Sequence, residues 1–244
     1  MEQAPLIEVR NAKKTYHVGS VDVHALRGVD LTIQRGELCC IIGRSGSGKS
    51  TLLNVLAGLE KVTAGEIVIL GKHLERMTEA ELIVFRQKHV GFVFQSFNLM
   101  PYYTALENVA LPMTFRGVPA YKRNVLAKRM LEAVGLESHI KHKPSEMSGG
   151  QQQRVGIARA LVSNPDIVFA DEPTGNLDSA TSDEVMQMIT NLIRRDGKTL
   201  IMVTHDPHMA EYADTIVDIL DGRIVEVRRG TRRPDQITDN GRDS

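Results

Sequence analysis

The segment Gly43-Arg-Ser-Gly-Ser-Gly-Lys-Ser50 could grip a triphosphate. Its glycines let consecutive backbone N–H groups converge on phosphate oxygens, and a helix start adds favourable potential for an anion. The segment fits the P-loop pattern and sits where the mechanism requires, after the apolar run Leu38–Ile42 and before a helical pattern over 50–57. Gly43, Ser45, Gly46, Ser47 and Gly48 are expected to cradle the nucleotide. Lys49 would reach the β- and γ-phosphates, Ser50 would ligate Mg²⁺, and Thr51 could bond an α-phosphate oxygen. A second glycine-opened helix start, Ser148-Gly-Gly-Gln-Gln-Gln-Arg154, can offer backbone N–H groups to another phosphate. A serine cap followed by glycine is ordinary by itself; the Gln-Gln-Gln-Arg run directly after it is not. A chain carrying both motifs is expected to close its ATP site against a second copy of itself, so that nucleotide binding switches association.

A third element belongs with these two. Ile167-Val-Phe-Ala-Asp-Glu172 is an apolar strand ending in two carboxylates. Alone, such an end is usually a solvated strand terminus. Beside a P-loop, Asp171 would hold Mg²⁺ through water, and Glu172 could polarise the attacking water.

These residues need elements to position them. Residues 6–14 and 23–33 alternate like antiparallel strands, and the pattern over 38–42 is that of a buried central strand. Strands are expected at 66–70 and 90–94, with a helix at 79–88 between them. From Ser96 to about Asn164 helical patterns dominate, at 105–115, 120–134 and 150–162, punctuated by Pro101, Pro119 and Pro144. Alternation then resumes with strands at 166–170, 199–203, 215–220 and 223–227, a helix at 182–195 and a turn at Asp221-Gly222. Such alternation favours a parallel sheet covered by helices. Residues 228–244 are polar with clustered arginines and read as a flexible tail.

The bulk numbers narrow the class. Thirty basic residues balance thirty acidic ones, so no global field points to nucleic acid or an anionic membrane. The start lacks the basic and apolar regions of a signal peptide. No apolar run approaches the roughly 20 residues of a membrane span. Cys39 and Cys40, adjacent in an apolar run, read as buried small hydrophobes rather than a disulfide or metal pair. The chain reads as cytosolic and unable to cross a membrane alone.

Taken together, the motifs of residues 5–227 resemble the nucleotide-binding subunits of ABC transporters. The fold class implied is α/β: a P-loop NTPase (RecA-like) core at about 1–95 and 165–227, N-terminal antiparallel strands, and an inserted α-helical subdomain at about 96–164. The resemblance also implies roles for single residues. Tyr16 is similar to the aromatic residue that stacks on adenine, and Gln95 to the glutamine that senses Mg²⁺ and the membrane partner. Ser148, Gly149, Gly150 and Gln151 match the family signature, with Met147 in place of the usual leucine. Asp178 lies in a loop similar to the one that crosses the dimer interface, and His205 matches the histidine that contacts the γ-phosphate. His205 and His208 have possible metal spacing, but no cysteine or further histidine lies nearby.

A closer resemblance is to the lipoprotein-release and macrolide-efflux subgroup. It rests on Gly91-Phe-Val-Phe-Gln-Ser-Phe-Asn-Leu-Met-Pro101, Ala105-Leu-Glu-Asn-Val-Ala-Leu-Pro112 and Ala170-Asp-Glu-Pro-Thr-Gly-Asn-Leu-Asp178. It implies an ATPase that dimerises around two ATP–Mg²⁺ and drives an integral membrane permease from the cytoplasmic face, for lipoprotein release or for macrolide or peptide efflux. Alternatives are an ATPase regulating a cell-division membrane complex without transport, and a soluble ABC ATPase of iron–sulfur assembly. A chromosome-maintenance ATPase is disfavoured, because no sustained heptads separate Lys49 from Ser148. Phe97, Leu99, Met100, Tyr102 and Tyr103 are unusually apolar for a loop. They are either core of the helical lobe or a groove for a short helix of the membrane subunit.

Overall fold

A computed structural model describes residues 4–230. The strands are β1 (Ile7–Val18), β2 (Val21–Ile33), β3 (Leu38–Ile42), β4 (Ala64–Ile69), β5 (Lys72–His73), β6 (Val90–Val93), β7 (Ile167–Asp171), β8 (Thr199–Thr204), β9 (Thr215–Leu220) and β10 (Arg223–Arg229). The helices are α1 (Lys49–Leu56), α2 (Glu79–His89), α3 (Ala105–Phe115), α4 (Ala120–Ala133), α5 (Gly149–Leu161), α6 (Ser179–Arg195) and α7 (Pro207–Ala210).

Two sheets result. The smaller is antiparallel, ordered β2-β1-β4-β5. The larger is ordered β10-β9-β3-β8-β7-β6, parallel from β9 to β6 with β10 antiparallel at its edge. Strands β3, β7 and β8 are buried almost throughout, in keeping with the apolar runs at their centres and helices or sheet on both faces. Alternate residues feed two cores. Cys40, Val168, Ala170 and Met202 face the helices, whereas Cys39, Ile41, Phe169 and Ile201 face α1 and the smaller sheet. Adjacent Cys39 and Cys40 therefore point to opposite faces, both free. Burial pushes the Cys40 thiol up to about 12 and Cys39 well up. They are packing residues.

Local signals set the helix starts. Thr78, Thr104 and Ser148 each accept from the backbone N–H three residues on, and Glu81, Glu107 and Gln151 reach back to the cap. Such caps are worth about 0.5–2 kcal/mol each.

The structure adds to the sequence reading, notably at α7 and at β10. Helix α7 has a cap signal, Asp206 accepting from the N–H of His208 with Pro207 in the first turn, but only four residues of helix. Strand β10 continues through Arg228 and Arg229, which were expected to begin the polar tail. They pair with Ile216 and Thr215, and Arg228 lies 3.5 Å from Asp218. Backbone pairing at a sheet edge does not require apolar side chains, so the strand outruns its hydrophobic pattern. The rest of the expected tail, 231–244, lies outside the described residues.

Candidate active site

Parallel pairing decides where the chemistry gathers. Ile42 lies beside Thr204, and Asp171 beside Val203. The P-loop, the Asp171-Glu172 pair and His205 therefore all leave the larger sheet at the C-terminal ends of its strands, where open α/β sheets bind ligands.

A cavity of about 860 Å³ opens there. Ser45, Gly46, Gly48, Lys49, Ser50, Thr51, Gln95, Glu172 and His205 line it, drawn from four separated stretches of chain. Lys49 is almost wholly buried, and its Nζ donates to the carbonyls of Gly43 and Arg44 at 2.8 and 3.0 Å. Gly43 and Ser47 stand behind the lining. A side chain at Gly43 would meet the Ile219 carbonyl and the Ser47 hydroxyl, so this glycine allows strand β9 to press against the loop.

Ser50 Oγ donates to Asp171 Oδ1 at 3.2 Å. Burial raises the Asp171 carboxyl above its ordinary value, opposed by the Ser50 hydrogen bond; Glu172 adds to the rise and Lys49 also opposes it. Two hard oxygen donors this close, one a desolvated carboxyl, suit a small divalent cation. Among the described residues no group of three or more His, Cys, Asp or Glu could hold a metal by itself. A cation here would need other oxygens, such as those of phosphate.

Glu172 has φ 45°, the left-handed region that non-glycine residues rarely occupy. Its N–H donates to the Val203 carbonyl at 3.0 Å, which fixes the turn. The side chain is mostly buried, and Oε2 lies 2.7 Å from His205 Nδ1. With Glu172 ionised, His205 Nδ1–H donates and holds the carboxylate in one orientation. Gly175 completes the arrangement: a Cβ there would come within 2.9 Å of Gln95 Nε2 and 3.2 Å of Glu172 Oε2. A side chain at 175 would push the Gln95 amide or the Glu172 carboxylate out of its present position in this corner. Asn176 Nδ2 further ties the loop to the Gln95 carbonyl at 2.9 Å.

Other expected site residues stand apart from this cavity. Tyr16 does not line it. Its hydroxyl donates to Glu60 at 2.6 Å, and the Lys14 ammonium sits 5.0 Å from the ring centroid. Burial pushes the Tyr16 hydroxyl up, with Glu60 adding to the shift and Thr51 opposing it. Ser148, Gly149, Gly150 and Gln151 form the first turn of α5, away from the chain's own P-loop. Asp178 caps α6, accepting from the N–H and hydroxyl of Thr181 at 3.0 and 2.8 Å. The Thr181 N–H in particular holds its carboxyl below the ordinary value. Of the apolar residues after Gln95, Leu99 packs against the helical core, while Tyr102 is 86% exposed and Met100 and Tyr103 are also exposed.

The sequence reading missed the opposite wall of the cavity, formed by His24 and Arg27 of β2 with Asp221 and Gly222 of the β9–β10 turn. Gly48 and Gly222 both press on the Ala25 carbonyl, so close that a Cβ on either would sit 2.6 Å from it. Gly222 N–H also donates to the Ser47 carbonyl. The Asp-Gly turn was legible; its seat on the P-loop was not.

The family model described as ABC transporter matches residues 26–175. This chain belongs to the ABC transporter family. Its members hydrolyse ATP, so the cavity is that of an ATPase. The chain is 49% identical over 92% of its length to an uncharacterized ABC transporter ATP-binding protein of Thermotoga maritima, 95% of which is covered. It is 45% identical to the macrolide export ATP-binding/permease protein MacB of Syntrophobacter fumaroxidans, over 92% of this chain and 32% of that longer protein. Among solved structures, the ATP-binding cassette MJ0796, a dimer in a post-hydrolysis state bound to ADP and Pi, superposes with a TM-score of 0.85. It is 42% identical, over 93% of this chain and all of that one. These relatives agree with the macrolide-efflux side of the subgroup resemblance.

Proposed function

We propose that two copies of this ATPase sandwich two ATP molecules, each held between one chain's P-loop and the other chain's Ser148 turn. One observation carries this reading. Lys49, Ser50, Gln95, Glu172 and His205 meet at one cavity, whereas the glycine-opened turn at Ser148 faces elsewhere with its serine exposed. A phosphate-binding turn that cannot reach its own P-loop suits a partner's nucleotide, and MJ0796 is itself described as dimeric.

Within each site the Glu172 carboxylate takes a proton from water as its oxygen attacks the γ-phosphorus in line. ADP departs, leaving inorganic phosphate. His205 keeps that carboxylate aimed. Ser50 and Asp171 are the residues that would hold Mg²⁺, whose contribution when bound is to neutralise charge on the β- and γ-phosphates. Tyr16, beside Thr51 at the margin of the cavity, is the residue that would stack on adenine, and Asp178 lies on the loop that meets the partner. The division is a catalytic core at about 1–95 and 165–227 with a helical subdomain at about 96–164.

The expected test separates sites in cis from sites in trans. Ser148→Arg should leave ATP affinity of dilute monomer unchanged. Turnover should drop at least about tenfold, because a bulky unpaired charge is set into the closing interface. Equal loss of monomer affinity in Ser148→Arg and Lys49→Ala, read by calorimetry, would refute the trans arrangement.

The chain acts at the cytoplasmic face of a membrane by docking on a permease, in lipoprotein release or in macrolide or peptide efflux. No helix among the described residues is long and apolar enough to cross a bilayer, and the relative MacB carries its permease in the same chain as its cassette. The dock is the surface at Phe97, Leu99, Met100, Tyr102 and Tyr103, where exposed aromatics adjoin the Gln95 loop. Leu99 also serves the core, so the discriminating change is Tyr102→Asp. It should preserve the ATPase of the isolated protein and reduce recovery with the detergent-solubilised permease; undiminished co-purification would refute this placement.

A further inference from the structure

The signature turn is held from outside its own helix. Ser148 N–H donates to Gln151 Oε1 at 2.9 Å, and Gln151 N–H donates to Ser148 Oγ at 3.3 Å. The Gln151 amide is thereby set with its oxygen toward residue 148. Its NH₂ group faces His139, whose Nε2 lies 3.1 Å away, and His139 Nδ1 lies 2.9 Å from Ser138 Oγ. An amide NH₂ only donates, so Nε2 must accept. The ring proton then belongs on Nδ1, where the Ser138 hydroxyl accepts it. The capping box and a neutral imidazole select the same orientation of the amide.

His139 comes from the short turn Glu137–His139 that follows α4, and is only half-buried. Its ring leans on that of His142, with centroids 4.9 Å apart. Capping of α5 needs only Ser148 and Gln151, so the bond from His139 is surplus to the helix start. Its effect is to immobilise a side chain that would otherwise sample several rotamers beside an exposed serine. An interface closes more tightly when such side chains are ordered beforehand.

We infer that His139 is a positioning residue for the signature turn: by accepting from Gln151 Nε2 it locks the polar face that closes on the partner's nucleotide. The inference rests on the composite-site reading above. It predicts an effect on dimer closure and none on nucleotide binding by the monomer.

The test uses the full chain carrying Glu172→Gln, to arrest turnover, with ATP–Mg²⁺. Dimer dissociation constants come from analytical ultracentrifugation, and calorimetry on dilute protein gives monomer affinity for ATP. Adding His139→Phe keeps the ring and removes the acceptor, and His139→Lys replaces it with a donor. Both should weaken the dimer about three- to tenfold, the worth of one hydrogen bond, with monomer affinity unchanged. His139→Gln puts an amide oxygen near the place of Nε2 and should restore the parental constant. Dimerisation of the Phe and Lys variants as tight as the parent's would overturn the inference, as would a Gln variant no better than Phe. Should the Phe variant fail to fold, the contrast between Lys and Gln decides by the same criterion. A Glu172→Gln parent that stays monomeric in ATP–Mg²⁺ would overturn the composite site and this inference together. A parent that dimerises while all three variants match it overturns the His139 role alone.

Discussion

Glu172→Gln should bind ATP normally and hydrolyse it about 10²–10⁴-fold more slowly, the usual contribution of a positioned base. The amide keeps the shape of the carboxylate and still accepts the hydrogen bond from His205 Nδ1, now 2.7 Å from Oε2, so the turn after β7 need not rearrange. It cannot take up a proton from water. The substitution also removes a negative charge from a corner shared with Gln95 and Gly175, next to where the γ-phosphate would lie. Repulsion between that carboxylate and ATP should fall, and the nucleotide-bound dimer should persist. Sizing chromatography with ATP–Mg²⁺ is the measurement. A variant that hydrolyses ATP at the parental rate would remove Glu172 from the reaction, and one that elutes only as monomer would count against the sandwich.

The second large effect is expected at Lys49. Its ammonium is buried at the start of α1 and spans the loop by donating to two carbonyls. It also lines the cavity, where a bound phosphate would lie. Hydrogen bonds to charged groups are worth about 1.5–3 kcal/mol, so Lys49→Ala should weaken ATP binding by roughly 10- to 100-fold. The loss should be larger for ATP than for AMP, which lacks the phosphates that Lys49 is proposed to contact. Calorimetry with both nucleotides checks this, and equal losses for the two would mean that Lys49 supports the loop rather than the phosphates. Circular dichroism should show intact secondary structure, because α1 retains its buried Leu52, Leu53 and Leu56.

The sequence by itself determined whatever depends on neighbours along the chain. Apolar runs marked β3, β7 and β8 because strands covered on both faces are mostly apolar through their middles. The helix start at Ser148 was readable because a serine cap directly precedes the turn that it closes. The P-loop was readable for the same reason: glycines, lysine and serine must follow one another to wrap one phosphate.

Tertiary structure decided what depends on registers between distant strands. The pairing of Ile42 with Thr204 and of Asp171 with Val203 brings Lys49, Glu172 and His205 to one edge, and no local pattern encodes that alignment. Resemblance to a family could name these residues, but only the packing shows Gly175 making room for Gln95 against Glu172. The contact of Gly48 and Gly222 with the Ala25 carbonyl was invisible in the sequence because it is made by backbone atoms, which every residue carries. Strand β10 outran its apolar pattern for a related reason: edge pairing is satisfied by N–H and C=O groups whatever the side chains are. The bond from His139 to Gln151 joins residues on separate turns, and folding alone sets which imidazole nitrogen faces the amide.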